Sequence, residues 1–246
     1  MKTLEDFKNL KTMPYFAAGS RTGSSHIARC TGRIMGIPVQ APRFLFADHF
    51  STDDHQVDPA LMGAIRHLGI WVLHQHSKGM GNNVAILKAY GIKPMVIVRN
   101  LFDCLVSVKE QMEVAENMTT PGVPRPEYYE LDEDGKWDWI SYNIVPWYYQ
   151  FYASWHYAKI DKLLIHYREF YSDDNFKVMS KILDWVGFPN PGPEEVARHH
   201  ARRDARFNVG YSGRGNAIPD TVKERAYAQA KSWGPLEKTL KDIYLD

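Results

Sequence analysis

The chain has 246 residues, 44% hydrophobic and 24% charged, which excludes a disordered or fibrous polypeptide and leaves room for one large domain over 1–246. Thirty basic residues against 29 acidic ones give a formal charge of +1, so no nucleic acid partner is expected and any anion site must be local. The charged N-terminus MKTLEDFKNLKTMPYF is no signal peptide and no apolar run reaches membrane-spanning length; together with only two cysteines, Cys30 and Cys104, this predicts a cytoplasmic protein without membrane contact.

In chain order, the apolar run 13–19 predicts a strand, SRTGSS a tight loop, and HIARCTGRIMG a helix with apolar residues at helical spacing. Further strands are expected at 70–74 (IWVLH) and 94–98 (PMVIV), the latter apolar enough to be covered on both faces. A helix follows over 103–112 with Asp103 near its N-cap, then an irregular proline-rich and acidic loop over 117–136. The aromatic stretch 137–157 reads as helical on either side of Pro146, KLLIHY (162–167) as a strand, and 174–186 as an amphipathic helix ended by Gly187 and Pro189. Strands alternating with helices predict an α/β fold, a mainly parallel central sheet with helices on both faces, and ligands beyond the C-terminal strand ends.

Two clusters of residues sit at those ends. In Gly19-Ser20-Arg21-Thr22-Gly23-Ser24-Ser25, glycines let backbone N–H groups turn inward, hydroxyls add donors and Arg21 adds a planar cation, a set suited to phosphate or sulfate. A polar helix-capping turn is the plainer alternative. In Arg99-Asn100-Leu101-Phe102-Asp103-Cys104-Leu105-Val106-Ser107, Arg99 ends a buried strand, where its charge needs an anion, and Ser107 adds a hydroxyl; a structural Arg99–Asp103 pair is the alternative. The GxxxxGK[ST] pattern of nucleoside-triphosphate loops is absent, which weakens a kinase or nucleotide hydrolase. A non-catalytic nucleotide-binding module is the other rival.

Both clusters, in this order, resemble the sulfotransferases of cytosolic and bacterial type that use 3′-phosphoadenosine-5′-phosphosulfate (PAPS). Arg21-Thr22-Gly23-Ser24-Ser25 is similar to that family's K/R-[ST]-G-[ST]-[ST] loop, Arg99, Asn100, Asp103 and Ser107 to its R-N-x-x-D-x-x-x-S motif, and LLIHYREF with the next helix and glycine to its third segment. The resemblance covers about residues 13–216 and implies a P-loop-like α/β fold, sulfuryl transfer from PAPS with release of the bisphosphate PAP, no metal, and a small-molecule or carbohydrate acceptor offering a hydroxyl or an amine.

It further implies that Arg21, Thr22, Gly23, Ser24 and Ser25 hold the 5′-phosphosulfate, Arg99 and Ser107 the 3′-phosphate, and that Tyr167 lies near adenine. His26 stands where the family has an adenine-stacking tryptophan. Gly210-Tyr211-Ser212-Gly213-Arg214-Gly215 resembles a loop closing on the 3′-phosphate, with Ser212, Gly213 and Arg214 as contacts; Asn208 and Val209 stand in place of the Arg-Lys pair of the phenol-and-steroid branch, and Arg214 is the candidate replacement. His76, in His74-Gln75-His76, aligns with the family's base, and whether His74 shares its role stays open. Arginine does not release its proton, so Arg21 would assist the leaving phosphate by charge alone. H-x-H, with His199-His200, could instead be structural or metal-binding. The aromatics of 137–157 read mostly as core rather than as an acceptor wall, whereas loop 117–136, with Glu130, Asp132, Glu133 and Asp134, is an acceptor lid candidate that could draw a cation. The dimer motif of the cytosolic members is missing from KSWGPLEKTLKDIYLD, so no dimer is inferred.

Overall fold

The computed structural model describes residues 7, 9–40, 56–60, 62–63, 69–115, 126–171, 175–202 and 213–245. Five strands, β1 (Tyr15–Ala18), β2 (Val39–Gln40), β3 (Val72–Gln75), β4 (Met95–Val98) and β5 (Leu163–His166), form one sheet in the order β2-β3-β1-β4-β5. Every pairing is parallel, with Tyr15 opposite Leu73, Phe16 opposite Met95 and Val98 opposite His166. Parallel neighbours require crossover connections, and among the described residues helices lie between β1 and β2, between β3 and β4, and between β4 and β5.

Side chains alternate across this sheet with the two-residue period of a strand. Tyr15 and Ala17 of β1, and Val96 and Val98 of β4, enter one core; Phe16, Ala18, Met95 and Ile97 enter the other. The second core is closed by α1 (Ser24–Met35) and, later in the chain, by two helices over Asn175–Val186 and Pro193–His200. The first is closed by the remaining long helices. In chain order the helices after α1 are α2 (Gly81–Ala89), α3 (Leu101–Ala115), α4 (Glu133–Asn143) and α5 (Val145–Tyr157). They are followed by α6 (Tyr167–Tyr171), α7 (Asn175–Val186), α8 (Pro193–His200), α9 (Asp220–Lys231) and α10 (Glu237–Tyr244). Among the described residues no helix is long and apolar enough to cross a membrane.

Three expectations change. Helix α3 starts at Leu101, and its cap is Asn100, whose Oδ1 accepts from the Asp103 N–H at 3.2 Å. Asp103 is thereby the third helical residue, with its carboxylate released for other partners. The expected loop 117–136 is helical in its second half: Pro126–Glu130 makes a 3-10 turn and α4 begins at Glu133. Its acidic run is a helix start, because Asp132 Oδ1 accepts the Gly135 N–H at 2.8 Å and Glu133 and Asp134 occupy the positive first turn. Glu133 also meets Lys109 at 2.9 Å, so these carboxylates already have a structural use. Residues 117–125 lie outside the described residues.

The aromatic stretch breaks at Ile144, with Pro146 in the first turn of α5. Trp147, Tyr148, Tyr149, Phe151, Tyr152 and Trp155 are buried in the core, while Tyr142 and Tyr157 are exposed.

Candidate active site

The loop between β1 and α1 owes its shape to two left-handed residues. Arg21 has φ 58° and Gly23 φ 72°, with Thr22 between them at negative φ. Alternating hand is the backbone pattern that turns successive N–H groups to one side, where they can cradle an anion. Arg21 adopts it without glycine's freedom, a cost of roughly 1–3 kcal/mol that a structure retains mainly at functional positions. Thr22 Oγ1 donates to the Gly19 carbonyl at 2.7 Å, and the buried Tyr148 hydroxyl of α5 donates to the Ser20 carbonyl at 2.7 Å. Gly23 must be glycine twice over: a Cβ there would lie 2.5 Å from Cε2 of Tyr167. This is a scaffolded loop, more than a capping turn.

Arg99, at the end of β4, reaches into the same place. Its Nη1 donates to the Arg21 carbonyl at 3.1 Å, and its guanidinium lies 4.0 Å from the centre of the Tyr167 ring, which stacks on Tyr171 at 4.2 Å. Burial raises the Tyr167 hydroxyl pKa, and Arg99 opposes that shift. Arg21 Nε donates to Ser107 Oγ at 2.9 Å. Burial, and to a smaller extent the Arg99 cation, push the Arg21 pKa down, although no arginine loses its charge on that account. The expected Arg99–Asp103 pair is present at 3.7 Å, but shorter bonds occupy the carboxylate. Asp103 accepts the Gly213 N–H at 3.1 and 3.2 Å and the Gly215 N–H at 2.9 Å. It thereby ties the 213–217 turn to α3, as close as Gly215 permits: a Cβ there would fall 2.3 Å from Phe102 Cβ. Arg214 pairs with Glu110, one helical turn beyond Ser107. Ser212 lies outside the described residues.

His76 follows β3. Its Nδ1 lies 2.9 Å from the Ala18 carbonyl, which can only accept, so Nδ1 carries a proton. Ala18 is the last residue of β1, immediately before the 19–25 loop. His74 Nε2 lies 2.8 Å from Ser24 Oγ, and the two imidazoles meet edge to face at 5.5 Å. His74 therefore holds the first residue of α1 while His76 holds the end of β1. His200 does not join them; it packs 5.2 Å from His26, which also meets Phe170 and Tyr171. His199 instead faces Glu195 at 3.6 Å. Among the described residues no group of three His, Cys, Asp or Glu is placed to hold a metal ion.

A cleft of about 460 Å³ opens beyond the ends of β4 and β5, bordered by Arg99, Asp103, Tyr167, His166, Gly213 and Lys223. Sequence reasoning found Arg21, Arg99, Ser107 and Tyr167, which the fold gathers within one network, and it found His76 beside the loop. It missed Tyr148 under Ser20, Asp103 as the anchor of the 213–217 turn, and Glu110. The spacing of Asp103, Ser107 and Glu110 along one helix face was the available signal for the last two.

No protein-family model matches the sequence, and no curated protein matches it. Solved structures do. Mouse sulfotransferase SULT7A1, crystallised with PAP, superposes with a TM-score of 0.63 at 14% identity, over 98% of this chain and 95% of that one. A sulfotransferase from Alicyclobacillus acidocaldarius gives 0.50 at 15% identity, over 88% and 90%. At these identities the likeness establishes that this chain has the fold of those sulfotransferases.

Proposed function

We propose that this chain is a PAPS-dependent sulfotransferase that places a sulfuryl group on a hydroxyl or amine of a small-molecule or carbohydrate acceptor. The observation that carries the reading is the meeting of Arg21 and Arg99 on one scaffolded phosphate loop, with His76 fixed against the strand that leads into it. The Arg99 guanidinium on the Arg21 carbonyl disfavours the nearby Arg21 cation, and an anionic ligand would relieve that repulsion. The mouse protein of the same fold was crystallised with a bisphosphate of this kind.

PAPS supplies the sulfuryl group, and the chain supplies position, charge and a proton acceptor. The backbone of Thr22 to Ser25 and the N-terminus of α1 would hold the 5′ end, with Arg21 stabilising the charge that grows on the leaving phosphate oxygen. Arg99 and Ser107 would hold the 3′-phosphate, and Tyr167, under Arg99, would border the adenine. Nε2 of His76 would take the acceptor's proton as the new bond to sulfur forms and the bond from sulfur to the phosphate oxygen breaks. A ring whose other nitrogen is held by a carbonyl needs no reorientation for that step.

Thermal-shift measurements with PAP, ATP and ADP test the reading, since a ligand stabilises the state it binds. PAP at about a hundred times its Kd should stabilise the fold by about 2.7 kcal/mol while ATP and ADP at the same concentration do much less. Equal or greater stabilisation by ATP would overturn it.

A further inference from the structure

Helix α3 turns Asp103, Ser107 and Glu110 toward the site on one face, and each is already in use. Asp103 holds the N–H groups of Gly213 and Gly215, Ser107 holds Arg21, and Glu110 holds Arg214. The charge of Glu110 also reaches Arg21, where it favours the charged guanidinium against burial. The Arg214 side chain is 9% exposed and that of Glu110 41%. A carboxylate reachable from solvent thus sits against Arg214, the candidate for the 3′-phosphate from the sequence, and its charge reaches Arg21, which the proposed function assigns to the leaving phosphate.

We infer that Glu110 sets how tightly the bisphosphate is gripped, by competing with its phosphate groups for Arg214 and Arg21. The inference rests on the PAPS reading. An arginine that already has a carboxylate gains from a phosphate only the difference between two charge-assisted pairs, and the displaced carboxylate then repels the ligand. Glu110 therefore loosens the hold on nucleotide and hastens departure of PAP, while keeping Arg214 paired in a covered position where a lone cation would be costly. A carboxylate that served only to clamp the 213–217 turn would act with the opposite sign, since its loss would unseat the turn and weaken nucleotide binding.

Glu110→Gln keeps the shape and removes the charge. Calorimetric titration with PAP should give a Kd about fivefold lower for the variant than for the unaltered protein, with PAP a correspondingly stronger product inhibitor. Introduced into Arg214→Gln, the same change should gain less than about twofold, because most of the competition is then gone. Should Glu110→Gln fold poorly by thermal melt, Glu110→Asp, which draws the carboxylate back by one methylene, carries the test with the same sign. Unchanged or weaker PAP binding in a folded variant overturns the inference. Failure of the unaltered protein to bind PAP overturns instead the functional reading beneath it.

Discussion

The two halves of the site are held by different forces. Around Arg21 and Arg99 nearly every contact involves a charge: a guanidinium on a carbonyl, a hydroxyl, an aromatic face or a carboxylate. Around His76 the contacts are neutral and tightly packed. The Ala18 carbonyl takes Nδ1, the Trp155 indole donates to the Ser77 carbonyl at 3.0 Å, and Gly79 lies against α5 with no room for a side chain. The charged half offers several polar partners, as the proposed anion site would need. The half around His76 is closely packed, as the proposed proton acceptor would need. Affinity and turnover should therefore respond to different residues.

The largest effect should fall on the neutral half. His76→Ala is expected to lower turnover with PAPS by roughly a hundredfold or more, while PAP titrates with a Kd within about twofold of the unaltered protein. Comparable losses in both measurements would erase the division between the halves. On the charged half, Arg99→Ala should weaken PAP binding by roughly 30-fold or more, since it removes a buried charged partner and leaves Asp103 less compensated. Turnover at saturating PAPS should suffer less than affinity. Gly79→Ala sharpens the contrast from the packing side. Its Cβ would stand 2.8 Å from the Ser154 carbonyl oxygen and 2.9 Å from Trp155 Cα, backbone atoms that cannot step aside. A cost of about 1–3 kcal/mol should appear as a melting temperature several degrees lower, with turnover falling further than PAP affinity.

The smallest effect concerns pH. Burial lowers the pKa of His166, at the mouth of the cleft, and of His199 below the ordinary 6.5, so the fold favours their neutral rings. In the window just below 6.5 the unfolded chain binds more protons than the folded one, and stability rises with pH. The contribution is present above 6.5 and lost as pH falls through the folded values. Melting curves between pH 5.5 and 7.5, a window of about one pH unit either side of the reference value, should decline toward acid. His166→Gln should flatten that slope by a modest amount, and an unchanged slope would remove His166 as a source.

Legibility followed locality. The loop 19–25 and the Arg99-to-Ser107 segment were readable because glycines, hydroxyls and arginines within a few residues carry their own geometry. Strands β1 and β4 were readable because continuous apolar runs fit a sheet covered on both faces, and both are fully buried. The acidic stretch at 132–134 was misread because charge density alone does not distinguish a solvated loop from a helix start; the bond from Gly135 to Asp132 does. Tyr148 was hidden as one of ten aromatics in 137–157, and its bond to Ser20, 128 residues away, sets it apart.

The amino-acid sequence by itself determined the alternation of strands and helices, and it pointed to two segments as candidate anion sites and to His76 as the candidate base, because each depends on residue type at short spacing. Tertiary structure alone decided that Arg99 would lie on the Arg21 carbonyl, that His76 would be oriented by Ala18, and that Glu110 would face Arg214 across 104 residues. Those pairings join distant positions through sheet order and helix packing, and the sum of many weak contacts that fixes such packing is not written in any single stretch of chain.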